Sequence, residues 1–236
     1  YTQSFTAVSG STLAITIPNA TEIAGKWTKE IPAAVGYKLE LEKELVYVFT
    51  NTAAAGHTMI LPSSITSLRY LVVGAGGSGG GRHGGGGGAG GMLTNNDFKV
   101  VGRTLKITVG AGGERVISGG NAGGGKRGGD SVLVNGAIQV CAGGGGGGAS
   151  QAGDPAEEPG VGGCTGGASV ANKAGSGGAG AKESGVAGVN GQGGKGGDGL
   201  EYDIIGESVC YAGGGGGANN KSGDKDISHC GAGGAD

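Results

Sequence analysis

Leu13, Ile15 and Ile17 alternate with Ala14 and Thr16, the period of two by which a β-strand puts its apolar side chains on one face. Pro18-Asn19 then makes a turn. After a mixed stretch around Trp27 and Pro32, the strand pattern resumes at Leu39, Leu41 and Leu45–Phe49. His57–Leu61 continues it, Pro62-Ser63-Ser64 is a further turn, and Ile65–Val73 reads as strand again. The only tryptophan and most of the large apolar residues lie in this part, so it supplies much of the ordinary hydrophobic burial. Beyond Gly74 the pattern changes. Short β-branched segments (Leu105–Val109, Ser131–Val134, Ala137–Val140) are set between long tracts that bring almost no side chain.

Those tracts are glycine. Only four of the 63 glycines precede Gly74, and uninterrupted runs occupy 84–88, 143–148 and 213–217. Glycine offers nothing to bury, so this half builds no helix–sheet core around a catalytic pocket. It is either a flexible linker or an ordered array. A net charge of −2 gives no self-repulsion to hold the chain open. A linker also has no use for β-branched strands and four cysteines. Five prolines and no sustained G-X-Y period exclude collagen. Side-chain-free arms in the polyproline-II conformation, with three residues per turn, can pack closely enough for backbone N–H to reach a neighbouring carbonyl. The opposing conformational entropy is large, because fixing each backbone residue costs about 1–2 kcal/mol. Flanking strands and crosslinks are therefore needed. The expected fold is mainly β, with essentially no α-helix: N-terminal β-sandwich-like strands plus a bundle of polyglycine-II helices. Residues 1–40 form a strand or assembly arm, and 41–236 a glycine-rich domain.

The second half contains a duplication. Val140-Cys141-Ala142 precedes a six-glycine run and Val209-Cys210-Tyr211-Ala212 a five-glycine run. Each is followed by a polar loop and a second cysteine, Cys164 or Cys230. Cysteine usage in so glycine-rich a chain points to disulfides in an oxidising compartment. Cys141–Cys164 and Cys210–Cys230 are the favoured pairs, with a bond between the sister strands through Cys141–Cys210 left open. There is no C-x-x-C, and His57, His83 and His229 are scattered, so no zinc site is expected.

Nucleotide motifs fail on their physics. Tyr70–Gly79 runs a strand into G-x-G-x-x-G, but Gly80–Gly88 follows where a helix must begin. Gly120–Lys126 fits a phosphate loop until Arg127 stands in place of the Ser or Thr that holds magnesium. Gly193–Asp198 matches the start of one calcium-binding nonapeptide, which needs stacked copies. No nucleophile–base set emerges, so neither enzyme activity nor a cofactor or metal is expected. The charge balance gives no nucleic-acid footprint, and no apolar run reaches membrane-spanning length. Asn19-Ala20-Thr21 and Asn220-Lys221-Ser222 are possible glycosylation sites.

The order Val46–Phe49, Leu71–Gly77, Thr108–Gly113, Gly128–Val132 and Tyr211–Gly214 resembles the glycine-rich domain of bacterial and phage surface proteins over most of the chain. A more distant likeness is to polyglycine-II phage tail-fibre tip adhesins. The resemblance implies an extracellular, non-enzymatic β-plus-polyglycine fold. The four cysteines and the N-terminal extension depart from it. Tyr1 begins the chain without a charged-then-apolar leader, as a protein secreted after signal-peptide removal would. The extension suggests an arm that adds a strand to a neighbouring subunit's sheet, with Leu13, Ile15 and Ile17 as anchors. An ordinary first strand of the chain's own sandwich is the alternative. The leading expectation is an extracellular structural protein, a self-assembling filament or matrix subunit. The alternative is a cell-surface or tail-tip adhesin that binds glycan through Gln151–Gly160 and Asn219–Asp226. Ice binding by a flat face of arms is a third reading, weakened by scarce threonine.

Overall fold

The structure, a computed structural model, describes residues 13–18, 36–41, 44–116, 123–151, 156–169 and 174–219. Among these the regular elements are all β-strands: β1 (Leu13–Pro18), β2 (Gly36–Leu41), β3 (Glu44–Phe49), β4 (His57–Ile60), β5 (Ser67–Val73), β6 (Met92–Lys99), β7 (Thr104–Thr108), β8 (Ser131–Asn135), β9 (Ile138–Ala142), β10 (Leu200–Tyr202) and β11 (Val209–Tyr211). The protein is thus all-β, with antiparallel pairing throughout and no helix among the described residues.

A five-stranded sheet has the order β2-β3-β1-β5-β6 and a four-stranded sheet the order β4-β7-β8-β9. Alternation decides which side chains lie between them. Leu68, Tyr70 and Val72 of β5, with Tyr47 and Phe49 of β3, meet Met59, Leu105, Ile107 and Leu133 of the second sheet in one buried cluster. Tyr70 meets Phe98 edge-on at 5.4 Å between ring centroids, a favoured aromatic geometry. Buried Asn135 fastens the far end. Its amide oxygen accepts from the Val101 and Gly102 N–H groups, and its amide nitrogen donates to the Gly102 and Thr104 carbonyls.

Beyond the sheets the glycine tracts run as extended arms bonded backbone to backbone, and the bonds recur at every third residue. Along 143–149, the N–H groups of Gly143, Gly146 and Ala149 donate to the carbonyls of Val161, Cys164 and Gly167. Those of Gly145 and Gly148 donate to Ala75 and Ser78. Gly143, Gly146 and Ala149 in turn accept from Gly91, Gly88 and Gly85. The first two sets run parallel and the third antiparallel. A chain with three residues per turn presents one such row to each neighbour. At most arm positions the spacing leaves no room for a side chain: a β-carbon at Gly148 would lie 2.0 Å from the Gly85 carbonyl oxygen. Arg82, at φ 58°, turns the chain between the first two arms, and Asn190-Gly191, at φ 52° and 84°, makes a tight turn later.

Candidate functional site

β1 carries Leu13, Ile15 and Ile17, the residues expected to anchor assembly. It lies between β3 and β5, pairing six residues with the former and four with the latter. Leu13 stands opposite Phe49 and Val72, Ile15 opposite Tyr47 and Tyr70, and Ile17 opposite Leu45. Tyr47, Phe49, Tyr70 and Val72 are all core residues, so the alternation seen in the sequence is in register with the core-facing positions of both flanking strands. Ala14 and Thr16 occupy the other register, opposite Val48 and Leu71, and Val46 and Arg69. Pro18 closes the strand at its last position, where it faces Glu44 of β3 alone; a proline inside a doubly paired strand would cost ladder bonds.

In the single chain, then, β1 completes its own sheet. This is the arrangement of an ordinary first strand, and strand addition to a neighbour requires β1 to leave it.

The outer face of the same sheet is covered by the β10–β11 hairpin. Ile204, fully buried, joins Val46 and Val48 of β3 and Leu71 and Val73 of β5 in a second apolar cluster, with Tyr202, Ile205 and Tyr211 packed against it. The rim is polar. Arg69 Nη2 donates to Asp203 Oδ1 at 3.3 Å, and its guanidinium lies 5.8 Å from the Tyr202 ring centroid. The Tyr202 hydroxyl donates to Asn96 Oδ1. No motif marks this group in the sequence. Its one visible signal was the apolar doublet Ile204-Ile205 in a half otherwise poor in large side chains.

The cysteines need a correction. Cys141 and Cys164 are free thiols, against the expected crosslink, and the register of the arms explains it. Gly146 donates to the Cys164 carbonyl, which sets Cys164 level with Gly146, five residues past Cys141. At an extended rise of about 3.1 Å per residue that is roughly 15 Å, whereas bridged cysteines need Cα atoms within about 7 Å. Burial pushes both thiols above their ordinary range, and Asp130 adds to this at Cys141. Cys210 is disulfide-bonded; Cys230, Asn19 and Asn220 lie outside the described residues.

The loops expected to meet glycan are partly tied down. The Glu157 carbonyl accepts from Gly147, its carboxylate accepts from the Arg127 N–H and pairs with Lys126 at 3.0 Å, and Gly160 donates to Gly144. The Asn219 side-chain oxygen accepts from the Gly193 N–H, while 152–155 and 220–226 lie outside the described residues. After β5 the Gly74–Gly79 motif continues as an extended arm, without the helix that dinucleotide binding needs. Among the described residues no three His, Cys, Asp or Glu side chains gather as metal ligands would.

Two packed antiparallel sheets carrying a hydrogen-bonded glycine array define a glycine-rich β-protein. The family comparison makes this specific: a model of the glycine-rich domain matches residues 50–236, and the chain belongs to that family. No curated protein and no solved structure matches it.

Proposed function

We propose that this protein is an extracellular structural subunit that assembles with copies of itself by exchanging β1, its arms forming a stiff polyglycine-II body. The observation that carries this reading is the seat of β1, a strand bonded on both sides between β3 and β5. The family match begins at residue 50, just after β3. β1 and β2 lie before the matched residues, and within the sheet β1 stands between β3 and β5. A strand bonded into a sheet by its backbone can be supplied by another copy, and a head-to-tail donation that does not close gives a filament. The period-three bonding supports a polyglycine-II body, and the bonded Cys210 supports an oxidising compartment.

Negative-stain electron microscopy tests the proposal on the full chain, on a chain lacking residues 1–20, and on the full chain with excess peptide spanning 11–20. Filaments from the full chain that vanish on truncation and shorten with peptide are the expected result. Discrete monomers under all three conditions would overturn it. Glycan binding through the loops gains less support, since Glu157 and Gly160 are engaged with the bundle; a glycan array would be the next measurement if filaments are absent.

A further inference from the structure

Resting on that exchange, we infer that the β10–β11 hairpin, through Ile204, is a clamp that retains β1 in its own sheet and sets how readily a second copy's β1 replaces it. The argument is positional. β3 and β5 are not neighbours; β1 separates them, so they stand about 9–10 Å apart at the usual strand spacing. Yet Val46 and Val48 of β3 share one apolar cluster with Leu71 and Val73 of β5, and Ile204 is its buried member from outside the sheet. A group packed against both flanks lies across the strand between them. The β1 positions registered against this cluster are Ala14 and Thr16, two of the smaller residues a strand can carry.

The other face of the sheet is closed by the main core, where Tyr47, Phe49, Tyr70 and Val72 pack against the four-stranded sheet. The hairpin stands on the opposite face, the one not closed by that core. The polar fastenings of the hairpin are weak by nature. Asp203 is 69% exposed in its pair with Arg69, and an ion pair so exposed is screened by water and salt. The apolar contact of Ile204 is the part that holds.

The test uses the full chain and its Ile204→Ala and Ile204→Val variants. Amide hydrogen exchange is followed at 13–18, and uptake of a fluorescent peptide of residues 11–20 is measured alongside. Ile204→Ala is expected to speed amide exchange at 13–18 and peptide uptake at least about tenfold, with amides of β7 and β8 unchanged and Ile204→Val intermediate. If peptide enters all three proteins at one rate and the amides of 13–18 are equally protected, the clamp is refuted while strand exchange stands. If the amides respond as expected but peptide enters none, the clamp stands and the exchange reading fails. Should Ile204→Ala expose β7 and β8 as well, Ile204→Val decides: an unchanged rate at 13–18 in that variant refutes the clamp.

Discussion

A β-carbon at Gly145 would fall 2.0 Å from the Gly88 carbonyl oxygen, and one at Gly144 1.9 Å from that of Gly128, whereas Gly112 has nothing within 4 Å. The atoms struck are backbone, which cannot swing aside. Gly145→Ala should therefore lower stability by about 1–3 kcal/mol or more, while Gly112→Ala should be neutral or gain up to about 1 kcal/mol by restricting the unfolded chain. Urea unfolding of the two variants separates these outcomes. Charge acts at the same scale at Asp130. Burial alone would raise its pKa, but the Gly144 N–H and the Arg127 guanidinium more than offset this and hold it below the ordinary carboxylate range. Glu157 is lowered as well, first by the Arg127 N–H and then by Lys126. A group whose folded pKa is depressed contributes stability above its unfolded pKa, about 3.9 for Asp, and loses it as pH falls through the folded value. The urea midpoint should thus be level between about pH 5 and 8 and drop below pH 4. Asp130→Asn should flatten part of that drop; an unaltered acid limb would show that Asp130 carries none of it.

Among elements, β1 is the one whose loss should be felt furthest. Proline at position 15 would remove a ladder donor from a strand paired on both sides and add steric conflict. Ile15→Pro should strip amide-exchange protection from β3 and β5 while leaving β7 and β8 protected; unchanged β3 protection would mean that β1 contributes little to the sheet. The alternation of Leu13, Ile15 and Ile17 was legible in the sequence because both flanking strands set the same register. β6 was not. Its residues 93–97 are exposed, and 94–97 are polar, since it is an edge strand with an irregularity opposite Leu68–Tyr70, and a strand that buries little leaves no apolar period to read. Val209–Tyr211 reads as a sister strand and is β11, but its partner β10 and their seat on the sheet were not legible, for a related reason. The two strands are three residues each, and what fixes them is the packing of Ile204 against residues more than a hundred positions earlier. Contacts at that distance leave no local period, only the doublet Ile204-Ile205. The expected Cys141–Cys164 pair failed similarly, because separation along the chain says nothing of the level at which two arms lie side by side.

At the scale of the whole molecule, the sheets give the bundle its starting points. β5 delivers the chain into the arm at 74–81, the arm at 84–91 returns it to β6, and β9 launches the arm at 143–149. Once launched, the arms bond to parallel and antiparallel neighbours alike, so chain direction places little constraint on the layout. Side chains are nevertheless placed with care: Ala75 and Ser78, Thr165 and Ala168, and Ser176 and Ala179 are each three apart, on the same side of their arms. The bundle therefore has a reading frame in space, three residues long, comparable to that of a coding sequence. With the proposed polyglycine-II arms, insertions and deletions in threes keep the frame, while others rotate every later side chain by about a third of a turn. Deleting Gly77 alone would bring Ser78 into the preceding slot, where a β-carbon meets the Gly146 carbonyl oxygen at 2.1 Å. Inserting Gly-Gly-Ser after Ser78 would leave the frame intact. Thermal unfolding should show the single deletion as the more damaging change, although it alters the length less. In lineages of this domain, arm lengths should accordingly drift in steps of three.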